Sequence, residues 1–95
     1  MSKVFVKVML FATLMKKYKT EELIVECDGT LKGLIENTVK ILGEEFFNDI
    51  YDKGYDDIRK DIIFLINGRS IKDLKEEVKL KDNDVISIFP PLAGG

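Results

Sequence analysis

Near the start of the chain, every second residue is apolar and the residues between them are of mixed polarity. This pattern predicts a β-strand over residues 3–12, because successive side chains of a strand point to opposite faces. The apolar face carries Val4, Val6, Val8 and Leu10, and the mixed face carries Phe5, Lys7, Met9 and Phe11. Residues 23–27, rich in β-branched side chains, predict a second strand. The polar stretch over residues 15–20 is predicted to be a short connection, which makes the two strands a hairpin.

The hydrophobic period changes after residue 30, where apolar residues recur every three or four positions up to Leu42. This spacing predicts an amphipathic helix. Thr30 is placed to cap its first turn through the side-chain hydroxyl, and Gly43 to end it in a left-handed conformation. Gly33 lies in the first turn, where glycine weakens a helix by up to about 1 kcal/mol relative to alanine.

Residues 44–60 carry the weakest pattern, with apolar side chains spaced for only a short stretch of helix. They predict a second, short helix that packs under the core and ends at Gly54. Its apolar positions are Phe46, Phe47, Ile50 and Tyr51.

The last third of the chain predicts another hairpin and a final strand. A continuous apolar run over residues 62–66 has the length of a strand, and Asn67 and Gly68 after it favour a tight turn. An irregular crossing segment and a turn at residues 82–84 then lead to the final strand, residues 85–89.

This order of elements predicts an α+β fold of the β-grasp type. One main helix lying on one face of a mixed, four- to five-stranded sheet buries both apolar stripes, with the first and last strands parallel at its centre. At 95 residues the chain is long enough for one core and too short for two. We therefore expect one domain over residues 1–89 and an extended, flexible tail over residues 90–95.

The composition disfavours a catalytic side-chain machinery. The chain has no histidine, the commonest general base and metal ligand, and a single cysteine, Cys27. Cys27 alternates with Leu23 and Val25, which favours a buried core thiol over a redox or sulfur-relay thiol. Asp82 and Asp84 flank a turn without other ligands nearby in the sequence, so we expect turn chemistry and no metal site.

Charge and hydropathy disfavour nucleic acids and membranes as partners. Fifteen basic and 17 acidic residues give a net charge of −2, and no basic stretch stands out, so we expect no nucleic-acid partner. No apolar run reaches the roughly 18 residues of a membrane span, and the first residues lack a signal-peptide pattern. We expect a cytoplasmic protein without a membrane partner. The charged run over residues 72–77 is expected to be a solvated edge.

The chain ends with Phe89-Pro90-Pro91-Leu92-Ala93-Gly94-Gly95. Proline cannot donate to a strand ladder, so strand pairing should stop near Phe89 and the following residues should leave the domain as an arm. Glycine has no Cβ, so Gly94 and Gly95 can pass through a narrow slot. We expect residues 90–94 to insert into another protein and to present the Gly95 carboxylate to its active site.

Five segments of the sequence resemble the MoaD/ThiS sulfur-carrier group of ubiquitin-like proteins. They are residues 6–12, 30–31, 66–69, 80–85 and 89–95. Within that group they are most similar to the small subunits of molybdopterin synthases. The ending Phe-Pro-Pro-x-x-Gly-Gly behind a β-grasp pattern is the specific part of the resemblance.

The resemblance implies a sulfur carrier that is a subunit of a molybdopterin synthase-like transferase, with no catalytic side chain and no bound cofactor of its own. A partner related to ubiquitin-activating enzymes, of the MoeB type, would use ATP to adenylate the Gly95 carboxylate. Sulfur from a persulfide donor would then give a thiocarboxylate. In a molybdopterin synthase the tail enters the large subunit, of the MoaE type, and donates sulfur to the pterin precursor of the molybdenum or tungsten cofactor.

The alternation places Phe11 beside Phe89 on the sheet face away from the main helix. Phe5, Met9 and Val85 are expected nearby. A sheet covered on one face normally carries polar residues on the other, so an apolar cluster there is expected to be a docking surface for partners. The alternative is that residues 44–60 pack over the Phe11 and Phe89 rings.

Three functions remain open on the sequence. The first is the sulfur carrier for pterin cofactor assembly. The second is a ubiquitin-like modifier, like archaeal members of the group, whose Gly95 carboxyl is joined to lysines of target proteins. The third is a β-grasp interaction module without tail chemistry. The first two begin with the same adenylate, so the tail does not separate them.

Overall fold

The protein folds into a sheet, a small hairpin and three helices along the part of the chain that the structure describes. A computed structural model describes residues 3–74 and 77–91. Its strands are β1 (Val4–Leu10), β2 (Glu22–Cys27), β3 (Tyr51–Asp52), β4 (Asp57–Ile58), β5 (Ile63–Ile66), β6 (Arg69–Ser70) and β7 (Val85–Phe89). Its helices are α1 (Ala12–Tyr18), α2 (Leu31–Leu42), α3 (Glu44–Ile50) and a 3₁₀ turn, Ile71–Asp73. No helix in these ranges has the length and hydropathy needed to cross a membrane.

Parallel pairing of β1 with β7 forms the centre of a five-stranded sheet with the order β2-β1-β7-β5-β6. β2 pairs antiparallel with β1, and β5 pairs antiparallel with both β7 and β6. Parallel strands need a crossover connection, so every element between β1 and β7 belongs to that crossover. This topology confirms the predicted β-grasp fold.

One buried core lies between the sheet and the helices. α2 contributes the buried residues Leu34, Ile35 and Thr38. The central strands contribute the alternating residues Val6, Val8, Leu10, Ile86 and Ile88. The Thr38 hydroxyl donates to the Leu34 carbonyl at 2.8 Å, so this buried polar group has a partner. Cys27 is 2% exposed, which confirms the predicted core thiol.

The connection between β1 and β2 contains a helix, and our prediction of a short polar link was wrong. α1 buries Leu14 and contacts α3 through a polar cluster. The Lys17 ammonium lies 3.0 Å from Asp49 and 3.1 Å from Glu45, and the Tyr18 hydroxyl donates to Asp49. Hydrogen bonds to Asp49 and Glu45 raise the pKa of Lys17, and burial together with the bond to Asp49 raises the pKa of Tyr18. Leu14, Met15 and Tyr18 are spaced for a helix and lie against the core, and this spacing is the local signal that our prediction overlooked.

α3 ends earlier than predicted. The expected helix extended to Gly54, but Tyr51 already begins β3, which pairs with β4 in a two-stranded hairpin. The hairpin returns the chain to the core, where Ile50 and Ile58 are both buried. The Arg59 N–H donates to the Ile50 carbonyl at 2.8 Å and closes the end of the helix. Burial of Ile58 therefore accounts for the early end of α3, and Gly54 lies in the hairpin turn.

Gly43 ends α2 with a positive φ, as predicted, but not in the left-handed helical conformation. Its φ is 109° and its ψ is 164°, a combination that essentially only glycine adopts. α3 begins at the next residue, so Gly43 serves both helices. Its N–H donates to the Val39 carbonyl at 2.7 Å, and its carbonyl accepts from the Phe46 N–H at 3.1 Å. The two helices thus meet without a loop.

The turn between β5 and β6 is tied to the start of β7. Asn67 and Gly68 have φ values of 51° and 86°, as expected for a two-residue hairpin turn. The Asn67 side chain accepts from the first N–H of β7 at 2.8 Å and donates to the Asp84 carboxylate at 2.9 Å. The Asp82 carboxylate accepts from the Phe5 N–H at 2.8 Å. The Asp84 carboxylate also accepts from the Lys81 N–H at 2.8 Å, which confirms the predicted turn chemistry for Asp84, whereas the Asp82 carboxylate connects the turn to β1.

The first turn of α2 is held by a network that requires glycine at position 33. Thr30 caps the helix as predicted, its hydroxyl accepting from the Gly33 N–H at 2.9 Å. The same hydroxyl donates to the Asp28 carboxylate at 2.6 Å, and the Thr30 N–H donates to it at 3.0 Å. These bonds lower the pKa of Asp28. A Cβ on residue 33 would collide with the Asp28 carboxylate, so Gly33 is more than a weak helix former.

We expect Gly33→Ala to leave the free energy of unfolding unchanged or to lower it, although helix propensity alone predicts a gain of up to about 1 kcal/mol. The added methyl group would displace Asp28 from the capping network. Urea denaturation measures the effect. In an Asp28→Ala background the closest contact is removed and only the 2.9 Å approach to the Thr30 hydroxyl remains, so there the same change should be more favourable by about 0.5 kcal/mol than in the unmodified protein. An equal gain in both backgrounds would contradict the network.

Candidate functional site

The sheet face opposite α2 is largely apolar. Its members follow from the strand pairing, because residues that alternate with buried ones point to the other side. The register places Glu22 and Glu26 at the β2 edge of this face. Its nine other residues are Phe5, Lys7, Met9, Ile24, Ile63, Leu65, Val85, Ser87 and Phe89. Phe5, Ile24 and Ile63 expose 53%, 58% and 48% of their surface. We call these nine residues, together with Phe11, the outer face.

Phe11 and Phe89 stack on each other at the end of the central strand pair. Their ring centroids are 4.2 Å apart and their planes differ by 10°. The Phe11 N–H donates to the Ile88 carbonyl at 3.2 Å, which extends the β1–β7 ladder by one residue and fixes the position of the ring. The structure therefore brings together the two rings that the alternation placed side by side.

Residues 44–60 do not cover this aromatic pair. Phe46 and Ile50, the buried residues of α3, belong to the core on the other side of the sheet. Phe11 and Phe89 lie outside that core cluster and remain half-buried. The alternative arrangement, with residues 44–60 packed over the rings, was wrong, because α3 packs against α2.

The chain leaves the sheet immediately after Phe89. Pro90 is buried against the domain, whereas Pro91 is exposed. The base of the predicted arm is therefore part of the folded domain, and insertion of Pro90 into a partner would require its release. The remaining predicted tail residues, Leu92, Ala93, Gly94 and Gly95, lie outside the described residues, so their roles stay predictions.

Polar groups border the apolar centre of the outer face. The Lys7 ammonium is 3.2 Å from the Glu22 carboxylate, and the Lys3 ammonium is 3.8 Å from the Glu26 carboxylate. These pairs are exposed and stabilise the fold little. An apolar centre with a polar rim is the usual composition of a protein–protein interface.

The outer face is larger than the sequence analysis predicted. Phe5, Met9, Phe11, Val85 and Phe89 were predicted to lie near one another, whereas Ile24, Ile63 and Leu65 were missed. The missed residues stand in continuous apolar runs, where alternation gives no indication of which side chains point outward. Ile24 also lines a depression of about 220 Å³ on this face. Only the pairing of β2 and β5 with the central strands places them here.

The described residues of the outer face form an apolar surface suited to binding another protein. Within residues 3–74 and 77–91, no three histidine, cysteine, aspartate or glutamate side chains are grouped so that they could hold a metal ion. Stacked aromatic rings on an apolar patch can anchor a partner protein. β7 ends in this patch at Phe89, so the chain leaves the sheet beside the rings.

A five-stranded sheet with a parallel pair of first and last strands at its centre and a helix packed on one face defines the ubiquitin-like β-grasp fold. Residues 8–95 match the model of the ThiS family, so the chain belongs to that family. It is a ubiquitin-like protein of the ThiS/MoaD sulfur-carrier type, which confirms the resemblance found in the sequence.

The relatives of this chain include both carriers and modifiers. The molybdopterin synthase sulfur carrier subunit of Drosophila melanogaster is 30% identical over 71 residues, which are 74% of this chain and 79% of that protein. The small archaeal modifier protein 1 of Methanosarcina acetivorans is 31% identical, with a TM-score of 0.81 and 100% of both chains covered. A putative molybdopterin converting factor, subunit 1, of Pyrococcus furiosus is 30% identical, with a TM-score of 0.65 over 94% of this chain and 99% of that chain.

We expect the Phe11 and Phe89 rings to be energetically coupled. Phe11→Leu and Phe89→Leu keep apolar side chains but remove the stacking, which contributes about 0.5–1.5 kcal/mol beyond buried area. A double-mutant cycle from urea denaturation should give a coupling energy in that range. The control pair, Phe11→Leu with Ile41→Val on α2, should be additive. Additivity of the two phenylalanine variants would contradict the stack.

Proposed function

We propose that the protein is the sulfur-carrying small subunit of a molybdopterin synthase-type enzyme, with Gly95 as the carrier residue. The observation that supports this most is the stacked Phe11–Phe89 pair on the outer face, one residue before the chain leaves through Pro90 and Pro91. A docking surface beside an outgoing arm suits a protein that delivers its own chain end to other active sites. The relative from Drosophila melanogaster is named a sulfur carrier subunit.

The chemistry of this function requires activation by a partner. A carboxylate is a poor acyl donor, because attack on it destroys its resonance and expels a poor leaving group. In the proposed reaction the Gly95 carboxylate attacks the α-phosphorus of ATP on an activating enzyme, and pyrophosphate leaves. A persulfide then displaces AMP, and a thiol cleaves the resulting sulfur–sulfur bond to leave a thiocarboxylate. ATP is bound by the activating enzyme, and this chain contributes the acyl group and its position.

Two partners would use the same surface in turn. An adenylyltransferase of the MoeB type would dock on the outer face to activate the tail, and a large subunit of the MoaE type would dock there to receive the sulfur. Sequential use of one face ensures that the carrier leaves one partner before it reaches the next. The mixture of aromatic anchors and exposed ion pairs fits an exchangeable interface.

A second candidate function is protein modification. It is favoured by the likeness to the small archaeal modifier protein 1, which covers both chains completely. In that reaction the ε-amine of a target lysine would attack the activated Gly95 carbonyl and form an isopeptide bond. Both functions share the adenylate, so the fate of the acyl group separates them.

The mass of the protein isolated from its own cells, through an N-terminal tag, tests both functions. A carrier is expected as a single chain ending at Gly95, part of it with one sulfur in place of one oxygen. A modifier is expected as larger conjugates. Lys81 is the last basic residue, so trypsin would leave residues 82–95 on an acceptor lysine. Absence of both products would overturn the proposal.

Two variants test whether the sulfur or the conjugate is attached at Gly95. Deletion of Gly95 removes the proposed carrier residue and should abolish both the thiocarboxylate and any conjugate. Lys32→Arg, on the helical side, keeps the charge and should change neither. Persistence of the sulfur mass after deletion of Gly95 would place the sulfur elsewhere in the protein.

We expect Phe11→Asp to weaken binding to the activating enzyme by at least about thirtyfold, because aromatic anchors of an interface contribute about 2 kcal/mol or more. The domain should stay folded, since Phe11 lies outside the buried core. Isothermal titration calorimetry measures the affinity and circular dichroism the melting curve.

Ile41→Asp is the matched control. Ile41 is an exposed residue of α2, 58% accessible, and its substitution introduces the same charge on the opposite side of the protein. It should bind like the unmodified protein. Normal affinity of a folded Phe11→Asp variant would exclude the outer face as the docking surface.

A further inference from the structure

A second concave surface lies on the helical side of the protein. It has a volume of about 590 Å³, within the range of known ligand pockets. α2 forms one wall, and α3 with the β3–β4 hairpin forms the other. Its apolar floor consists of Leu31, Ile35, Val39, Phe47, Tyr51 and Ile58. We call this surface the helix groove.

Part of the apolar floor lies outside the buried core of the domain. Phe46 and Ile50 already fill the interior of α3 and are fully buried. Phe47 and Tyr51, from the same segment, stack on each other outside this interior with a centroid distance of 4.7 Å. They remain half-buried, so part of each ring is available to a partner.

The rim of the helix groove is charged and predominantly acidic. It carries Lys32, Glu36, Lys40, Glu44, Asp56 and Asp57. Four carboxylates thus face two ammonium groups. The ion pairs found in residues 3–74 and 77–91 are made elsewhere, by Lys3, Lys7, Lys17 and Arg59. Among the described residues, the rim charges therefore form no ion pair with one another or with other side chains.

Hydrogen bonds hold part of the acidic wall in place. The Tyr51 hydroxyl donates to the Asp56 carboxylate at 2.8 Å, which raises the pKa of Tyr51 to about 12. The Asp57 carboxylate accepts from the Ile58 N–H at 2.7 Å. These bonds connect the floor of the groove to its rim, so apolar and acidic groups have a defined relative position before any partner arrives.

We propose that the helix groove binds a basic amphipathic helix of another protein. The apolar face of that helix would lie on the floor, and its lysine or arginine side chains would pair with Glu36, Glu44 and Asp57. α2 has 12 residues and gives a straight wall about 18 Å long, enough for about three turns of a helix lying alongside it. Such a helix places apolar side chains at the spacing that a groove of this kind requires.

The helix groove and the outer face lie on opposite layers and share no residue. A partner bound in the groove would therefore leave the sheet and the outgoing arm accessible. The proposal gives the protein a second docking surface that can be occupied while the tail is processed. It does not depend on which chemistry the tail performs.

An NMR titration of the full chain with a model peptide tests the proposal. The probe is an 18-residue helical peptide of leucine and lysine arranged amphipathically, and its counterpart carries glutamate in place of lysine. The lysine peptide is expected to shift the backbone amide signals of α2, α3 and the β3–β4 hairpin. The glutamate peptide should bind at least tenfold more weakly.

Charge-reversal variants connect the binding to the rim. Glu36→Lys with Glu44→Lys should weaken binding of the lysine peptide about tenfold, because each reversal replaces an attraction by a repulsion. Glu21→Lys with Asp73→Lys makes the same change in net charge away from the helix groove and should leave the affinity unchanged. All four positions are exposed, so the variants should keep the melting curve of the unmodified protein.

Three results would overturn the proposal. The first is a set of shifts confined to the outer face, for example at Phe5 and Ile24. The second is equal binding of the two peptides, which would show that charge plays no part. The third is a dimer in sedimentation experiments that Glu36→Lys with Glu44→Lys abolishes, since a second copy would then be the occupant of the groove.

Discussion

The parallel pairing of β1 with β7 is the constraint on which the rest of the structure depends. It brings the two ends of the described chain together at the centre of the sheet, so every other element must be placed within a single crossover. The crossover puts α2 and α3 on one face, where they bury the alternating valines and isoleucines of the central strands. The residues that alternate with these buried side chains lie on the opposite face of the sheet and form the outer face. Closure of the fold and creation of a docking surface are thus consequences of the same pairing.

That pairing also connects the docking surface with the outgoing chain. Phe11 follows β1 and Phe89 ends β7, and because these strands are parallel neighbours, both rings emerge at the same end of the sheet. Pro90 is buried there, so the arm starts from a fixed point beside the rings. A partner bound to the outer face therefore lies beside the point at which the chain leaves the sheet. On the helical side, the short turn at Gly43 brings α3 beside α2 and creates a separate groove with its own charge pattern.

Much of this arrangement could be predicted from local patterns. The alternation in residues 3–12, the period of α2 with its cap at Thr30, and the Asn67–Gly68 turn are properties of neighbouring residues, and the structure confirms them. The spacing of Leu14, Met15 and Tyr18 also indicates α1, but its contacts with Asp49 and Glu45 on α3 could not be predicted from neighbouring residues. The end of α3 could not be predicted either, since it depends on the burial of Ile58. From the sequence, Gly33 is expected only to weaken α2. The structure shows why glycine is present, because a Cβ at this position would collide with the Asp28 carboxylate.

The sequence by itself determined which residues can carry function. Without histidine and with one buried thiol, the chain offers its aromatic pair and the glycine-rich end of the sequence, and these follow from residue type and order alone. Only the tertiary structure decided what surrounds them. Ile24, Ile63 and Leu65 join the outer face through strand register, and the groove arises where α2 meets α3 and the hairpin. The physical reason is that alternation and helical period act between neighbours, whereas surfaces are formed by contacts between segments distant in the chain.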